Sequence, residues 1–334
     1  MAAKSKKKKK KSAFSHAMSS IFPQKGDGVL ESLRKIVFLL SITVFAVCAY
    51  LIFDYFYENY KNRQLYDDIA DIYIEAETED TADEEPADEG TSLLPGAESL
   101  LSVNPDTVGY INIPGTVISY PIVQKTTEKD AEYYLHINFL NEEAKAGALF
   151  LDWRDRFNAQ EQSDNLIVYG HDMKDGSMFG TLRNYKKDDY VDFYQKHPII
   201  ELNSNYEEGR YKIFGYFITD AELSRGGTFE YYNYINFENQ EQFYEYVNGV
   251  KRRSLILNDV DVKYGDKLVT LSTCSQEFSN SRFVIVARKL RDGESESEGT
   301  ENAWKNKNPL MPDVWYTIRT SEHYDPDAEF IPYG

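Results

Sequence analysis

The sequence predicts a mainly β domain with helices: an eight-stranded barrel carrying a helix between its sixth and seventh strands, preceded by a transmembrane helix. Three observations predict it. Between residues 100 and 290, eight short β-type runs recur with turn residues between them. Ahead of them, residues 36–53 run without a charge. Aromatic residues make up 14% of the 334, where disordered chains are poor in them.

The first element is a basic tail. Residues 1–35 hold ten Lys/Arg against two acids, a net of +8, so with the whole chain at −18 the remainder carries −26. So acidic a remainder repels a phosphate backbone, which excludes nucleic acid as a partner. The run 36–53 (IVFLLSITVFAVCAYLIF) follows. As a helix it rises about 27 Å, against a bilayer core of roughly 30 Å. It is long and no small-x-small cleavage site follows it, so it reads as a lipid-bilayer anchor rather than a cleaved signal peptide. The lysine run 6–11 argues against a buried soluble helix and sets the orientation. Positive charge stays inside, so the N-terminus is cytoplasmic and residues from about 54 are extracytoplasmic. The tail 1–20 also suits an electrostatic tether to anionic lipid.

Residues 54–99 read as a helix and an acidic spacer. Tyr55, Tyr66, Ile69 and Tyr73 fall at mixed helical spacing over 54–74, and residues 75–90 hold nine acids and no base. That run predicts a solvated stalk. The domain 100–290 follows, with strands expected at 108–113, 117–123, 148–153, 165–169, 199–202, 210–218, 267–273 and 282–290. Helical stretches are expected at 177–196 and 237–254, the latter with Phe243, Val247 and Val250 at i, i+4 and i+7. Residues 291–334 form a polar, Pro/Gly-punctuated extension that Trp304, Trp315 and Tyr316 could dock.

The chemistry starts from the cysteines. Cys48 lies in the apolar run as a small filler, leaving Cys274 alone outside with no disulfide partner. A lone exported thiol is open to oxidation, so keeping it points to use. It ends the strand LVTLSTC, and Arg282 opens the next strand. If the two are antiparallel neighbours, the loop returns Arg282 to the cysteine's end. Alternation then lays Thr270, Ser272 and Cys274 beside Arg282, Val284 and Val286. The guanidinium can favour thiolate or bind the oxygen of a tetrahedral intermediate. On spacing alone, a solvated rim arginine fits as well.

A base is also needed. His16 is cytoplasmic, His136 and His323 lie on polar or irregular segments, and His197 precedes Pro198 in a loop. His171 follows Gly170 at the end of the strand NLIVY, where an imidazole can exchange a thiol's proton. Alone, a strand-end histidine is more often structural. Neither a metal-ligand cluster nor a phosphate-cradling glycine loop appears, so no metal and no cofactor are expected.

Taken together, TLSTC, Arg282 eight residues after the cysteine, and VYGHDM upstream resemble the sortases, cysteine transpeptidases of Gram-positive surfaces. The resemblance covers about 100–290. The insert 236–256 and the stretch YPIVQ, YYLHINF and AGALFLDWR are similar to class B sortases in particular. The resemblance implies a sortase-type eight-stranded barrel, with Cys274 as nucleophile, His171 as general acid/base and Arg282 as oxyanion or substrate stabiliser. It implies substrate-binding roles for Ser272 and Thr273. It also implies cleavage of a C-terminal sorting signal after threonine, a thioacyl enzyme, and transfer of the surface protein to an amine of a peptidoglycan precursor or to a pilin lysine. Ser275 after the cysteine and the long tail depart from the family core. The alternatives are a surface cysteine hydrolase or protease of another fold, and a non-enzymatic membrane-tethered binding module. A papain-like enzyme would place its thiol ahead of its histidine, whereas His171 precedes Cys274.

Overall fold

The computed structural model describes residues 18, 20–80 and 92–334. The lysine run and most of the acidic spacer lie outside the described residues. The chain divides into two compact units, 1–61 and 62–334. Helix α1 (Val29–Asp80) contains the uncharged run, whose side chains, Leu40, Phe45 and Phe53 among them, are exposed. It is the one helix among the described residues long and apolar enough to cross a membrane.

Within the second unit, the side chains expected at helical spacing over 54–74 are packed from Tyr66 onward. Tyr66, Ile69 and Tyr73 are buried. Tyr73 stacks on Tyr110 at 3.9 Å between ring centroids, and the Tyr66 hydroxyl donates to the Gly147 carbonyl at 2.8 Å. Helix α2 (Pro95–Val103) buries Ala97 and Leu100, so packed structure begins before residue 100.

Eight strands close the barrel: β1 (Thr107–Asn112), β2 (Ser119–Val123), β3 (Leu149–Leu151), β4 (Asn165–Tyr169), β5 (Ile199–Ser204), β6 (Arg210–Asp220), and two more, β8 (Leu268–Cys274) and β9 (Ser281–Lys289). Their order is β1-β2-β3-β4-β8-β9-β6-β5, with β5 returning to β1. All eight expected strands are present. Two short strands were not expected, β7 (Ile256–Asn258) and β10 (Ala303–Lys305), which pair with each other outside the barrel. At three residues each they are too short to show alternation.

The expected helix 177–196 is instead a 3-10 turn (Gly180–Lys186) followed by α3 (Tyr190–Lys196). Phe179, Leu182 and Tyr185 are fully buried at three-residue spacing, the period of a 3-10 helix rather than of an α-helix. Helix α4 (Gln240–Arg253) stands between the sixth and seventh barrel strands as expected. Asn239 caps it by accepting from the Gln242 backbone N–H at 3.0 Å, and Lys251, Arg252 and Arg253 occupy its dipole-matched last turn. Its stripe of Phe243, Tyr246, Val247 and Val250 packs on the outer barrel face through Phe217, Leu268, Val284 and Val286. That makes a second core outside the barrel.

The segment after β9 also belongs to the fold. Lys212 on β6 and Arg288 on β9 are cross-strand partners, both fully buried. Like charges directly opposite destabilise a sheet. Glu294 sits between them: it accepts from the Lys212 ammonium at 2.6 Å and takes both terminal nitrogens of Arg288. Burial pushes this carboxyl up, but the two cations outweigh it and hold it well below its ordinary value. Trp315 and Tyr316 of the extension, both on α5 (Asp313–Ile318), pack against the main core, while Trp304 stays exposed. Glu294→Gln should cost about 3–5 kcal/mol in a denaturant titration, because it removes the carboxylate both buried cations share and leaves Arg288 with the more distant Asp266 at 3.9 Å. A carboxyl whose folded value is depressed stabilises above its unfolded value and loses that stabilisation as pH falls. Wild-type stability should therefore drop as pH falls below about 4, and Glu294→Gln should show less of that drop.

Candidate active site

The site is assembled by three neighbouring strands. β8 and β9 are antiparallel, and their register makes Cys274 and Arg282 cross-strand partners, with Ser272 opposite Val284 and Thr270 opposite Val286. These residues lie on the outer face, the one α4 covers, rather than inside the barrel. β4 runs parallel to β8, with Tyr169 beside Ser272, so Gly170 and His171 leave the sheet at the cysteine's rim.

Two hydrogen bonds seam that rim. The Gly170 N–H donates to the Ser272 carbonyl at 3.2 Å, and the Thr273 hydroxyl donates to the Gly170 carbonyl at 2.7 Å. Position 170 needs glycine, since a Cβ there would lie 2.3 Å from Leu149 Cδ2 and 2.7 Å from Phe179 Cδ2. His171 Nε2 lies 2.8 Å from the Leu135 carbonyl. A carbonyl only accepts, so Nε2 carries the hydrogen and Nδ1 is the basic nitrogen of the neutral ring. The His136 ring stacks on it at 5.9 Å between centroids.

Cys274 is exposed. It shares a cleft of about 330 Å³ with His171, Arg282, Ser272 and Thr273, all five of the residues singled out from sequence. The Ser272 hydroxyl is 2.6 Å from that of the buried Tyr231, and Thr273 is spent on Gly170, so both hydroxyls already have protein partners. Burial pushes the Tyr231 phenol up to about 12, partly offset by the Ser272 bond and the nearby Arg282 charge.

The cleft's electrostatics favour Arg282. It is the one Lys or Arg among the lining residues. Its guanidinium donates to the Ser281 carbonyl at 3.2 Å and, among the described residues, meets no carboxylate. Asp152 on the opposite wall is neutralised by Arg154, which donates to both its oxygens at 2.8 Å. Glu132 also lines the cleft, so Arg282 is the one lining Lys or Arg that can bind an anionic oxygen beside the thiol and the imidazole. No group of three His, Cys, Asp or Glu among the described residues could hold a metal ion.

Sequence reading missed Tyr231, Asp152 and the Leu135 carbonyl, and it set aside His136, whose ring lies against His171. Leu135 and His136 lie in the stretch YYLHINF, where a backbone acceptor carries no side-chain signal. Tyr231 sits in a 3-10 turn (Tyr231–Asn233) with no periodicity to mark it.

Comparison with known proteins agrees with this geometry. The family described as "Sortase domain" matches residues 111–290. Sortase B of Listeria monocytogenes is 35% identical over 259 residues, covering 77% of this chain and 96% of that protein. Sortase B of Staphylococcus aureus is 34% identical over 203 residues, covering 60% and 76%. Among solved structures, a Staphylococcus aureus sortase B–substrate complex superposes with a TM-score of 0.59 at 29% identity, covering 71% of this chain and 99% of that one. This chain therefore belongs to the sortase family, in its class B, and is a sortase-type cysteine transpeptidase for surface-protein anchoring.

Proposed function

We propose that the chain cleaves a C-terminal sorting signal after its threonine and transfers the surface protein to an amine of a peptidoglycan precursor or a pilin lysine. The observation that carries this reading is the Cys274–Arg282 register pair with His171 at the end of the parallel neighbour, all in one cleft. Cys274, as thiolate, attacks the threonine carbonyl, and the developing oxyanion is held by the Arg282 guanidinium. Protonated His171 gives its proton to the departing amine as the peptide bond breaks, leaving a thioester on Cys274. The acceptor amine then loses a proton to His171, attacks the thioester carbonyl and expels the thiolate. Ser272 and Thr273 line the cleft the signal would cross. The Staphylococcus aureus relative was solved as a sortase B–substrate complex, which supports substrate binding by this chain as well.

General acid/base work requires an imidazole that can move its proton either way near the operating pH. Incubating the full-length chain with a pool of threonine-containing sorting peptides should give a Cys274 acyl adduct by mass spectrometry. His171→Ala should still alkylate with iodoacetamide at high pH while peptide transfer collapses. Unchanged transfer in that variant would overturn the mechanism.

Arg282→Lys keeps the charge and loses the planar fork. Turnover should fall by about 10²–10³-fold, the usual effect of losing one oxyanion donor. A near wild-type rate would leave Arg282 with a structural role only.

The long apolar helix and the basic tail before it support a single-pass anchor with the N-terminus in the cytoplasm. Protease added to intact protoplasts should then remove the residues beyond 54. Full protection of those residues would reverse the topology.

A further inference from the structure

The loop 275–280 joins Cys274 to β9, and Glu277 is its one charged residue. That carboxylate is not left to the cleft. Lys186, the last residue of the 3-10 turn, donates to Glu277 Oε1 at 2.5 Å and to the Ser275 hydroxyl at 3.0 Å, while Ser275 donates to the other Glu277 oxygen. The side chains of Lys186 and Glu277 are 13% and 19% exposed. Burial raises the Glu277 carboxyl, yet Lys186 and Ser275 together hold it below its ordinary value. The same 3-10 turn follows Phe179, whose N–H donates to the His171 carbonyl at 3.0 Å. One short segment thus touches both the histidine turn and the cysteine loop.

We propose that Lys186 is a positioning residue for the transpeptidation: it sequesters the loop's carboxylate so that Arg282 stays unpaired and available to the substrate oxygen. This rests on the role given to Arg282 above. Glu277 is five residues from Arg282 on a short loop, and Arg225, which reaches the same loop at the Ser279 carbonyl, is paired with Asp220 at 2.7 Å. Without Lys186 a partly buried carboxylate seeks a cation, and Arg282 is the next cation along the chain. An Arg282–Glu277 pair would cancel the charge that stabilises the oxyanion.

A loop brace and a carboxylate trap predict opposite results for one double variant. In full-length protein, with a fluorogenic threonine-containing peptide pool and triglycine as acceptor, Lys186→Met should lower kcat about tenfold or more, with KM little changed. Lys186→Met/Glu277→Gln should return kcat to within about threefold of wild type, since no carboxylate remains to capture Arg282. Glu277→Gln alone should stay near wild type, and it tests the idea even if Lys186→Met folds poorly. A brace would instead leave the double variant as slow as the single one, and Glu277→Gln slow as well. Either result, or a wild-type kcat in Lys186→Met, overturns the proposal. Failure of the underlying function looks different: wild type itself would then form no Cys274 adduct with the peptides.

Discussion

The parallel pairing of β4 with β8 is the constraint on which the site depends. Parallel neighbours end at the same edge of a sheet, so a residue following β4 and the last residue of β8 must emerge together. The antiparallel return of β9 then starts at that edge with Arg282. A slip of one residue in either pairing would move Cys274 to the other sheet face, into the barrel interior where Leu271 and Phe283 now pack. Register is fixed by that apolar demand on one side and the Thr270–Tyr246–Asn165 hydrogen bonds on the other.

Placing the nucleophile on the outer face explains the helix between the sixth and seventh strands. An exposed outer wall would leave Val284, Val286 and Phe217 in water. Helix α4 and the aromatics of 229–237 cover them and stop short of the rim, leaving Cys274 exposed. The same cover contributes Tyr231, which fixes Ser272 from behind. β8 is thus buried from Leu268 through Thr273 and becomes exposed at its last residue, Cys274.

Most of this architecture was legible from sequence because strands of five residues or more show turn-bounded runs, as at NLIVY and LVTLSTC. The cysteine, histidine and arginine were legible because each ends or begins such a run. Short strands were not: β7 and β10 pair only through backbone bonds across 45 residues of chain. The helical stretch 177–196 was legible but its division was not, because burial at every third residue, as at Phe179, Leu182 and Tyr185, is a spacing that an α-helical reading also tolerates. The packing of Tyr66 and Tyr73 was hidden by the acidic run that follows them. Charge composition reports on solvent-facing residues, whereas one aromatic stripe is enough to dock a helix.

The Glu294 bridge bears on where the catalytic domain can be cut. The match to the sortase domain ends at residue 290, one residue after the last barrel strand. The counter-charge for two buried cations of that barrel comes four residues later. Lys212 and Arg288 lie on the outer barrel face with Leu268 and Val286, so the segment after β9 neutralises that wall from outside. A chain ended at 290 would leave the two cations facing each other, with Asp266, 3.9 Å from Arg288, as the remaining ion-pair partner among the described residues. The wall that carries Arg282 is thereby tied to a segment beyond the matched domain.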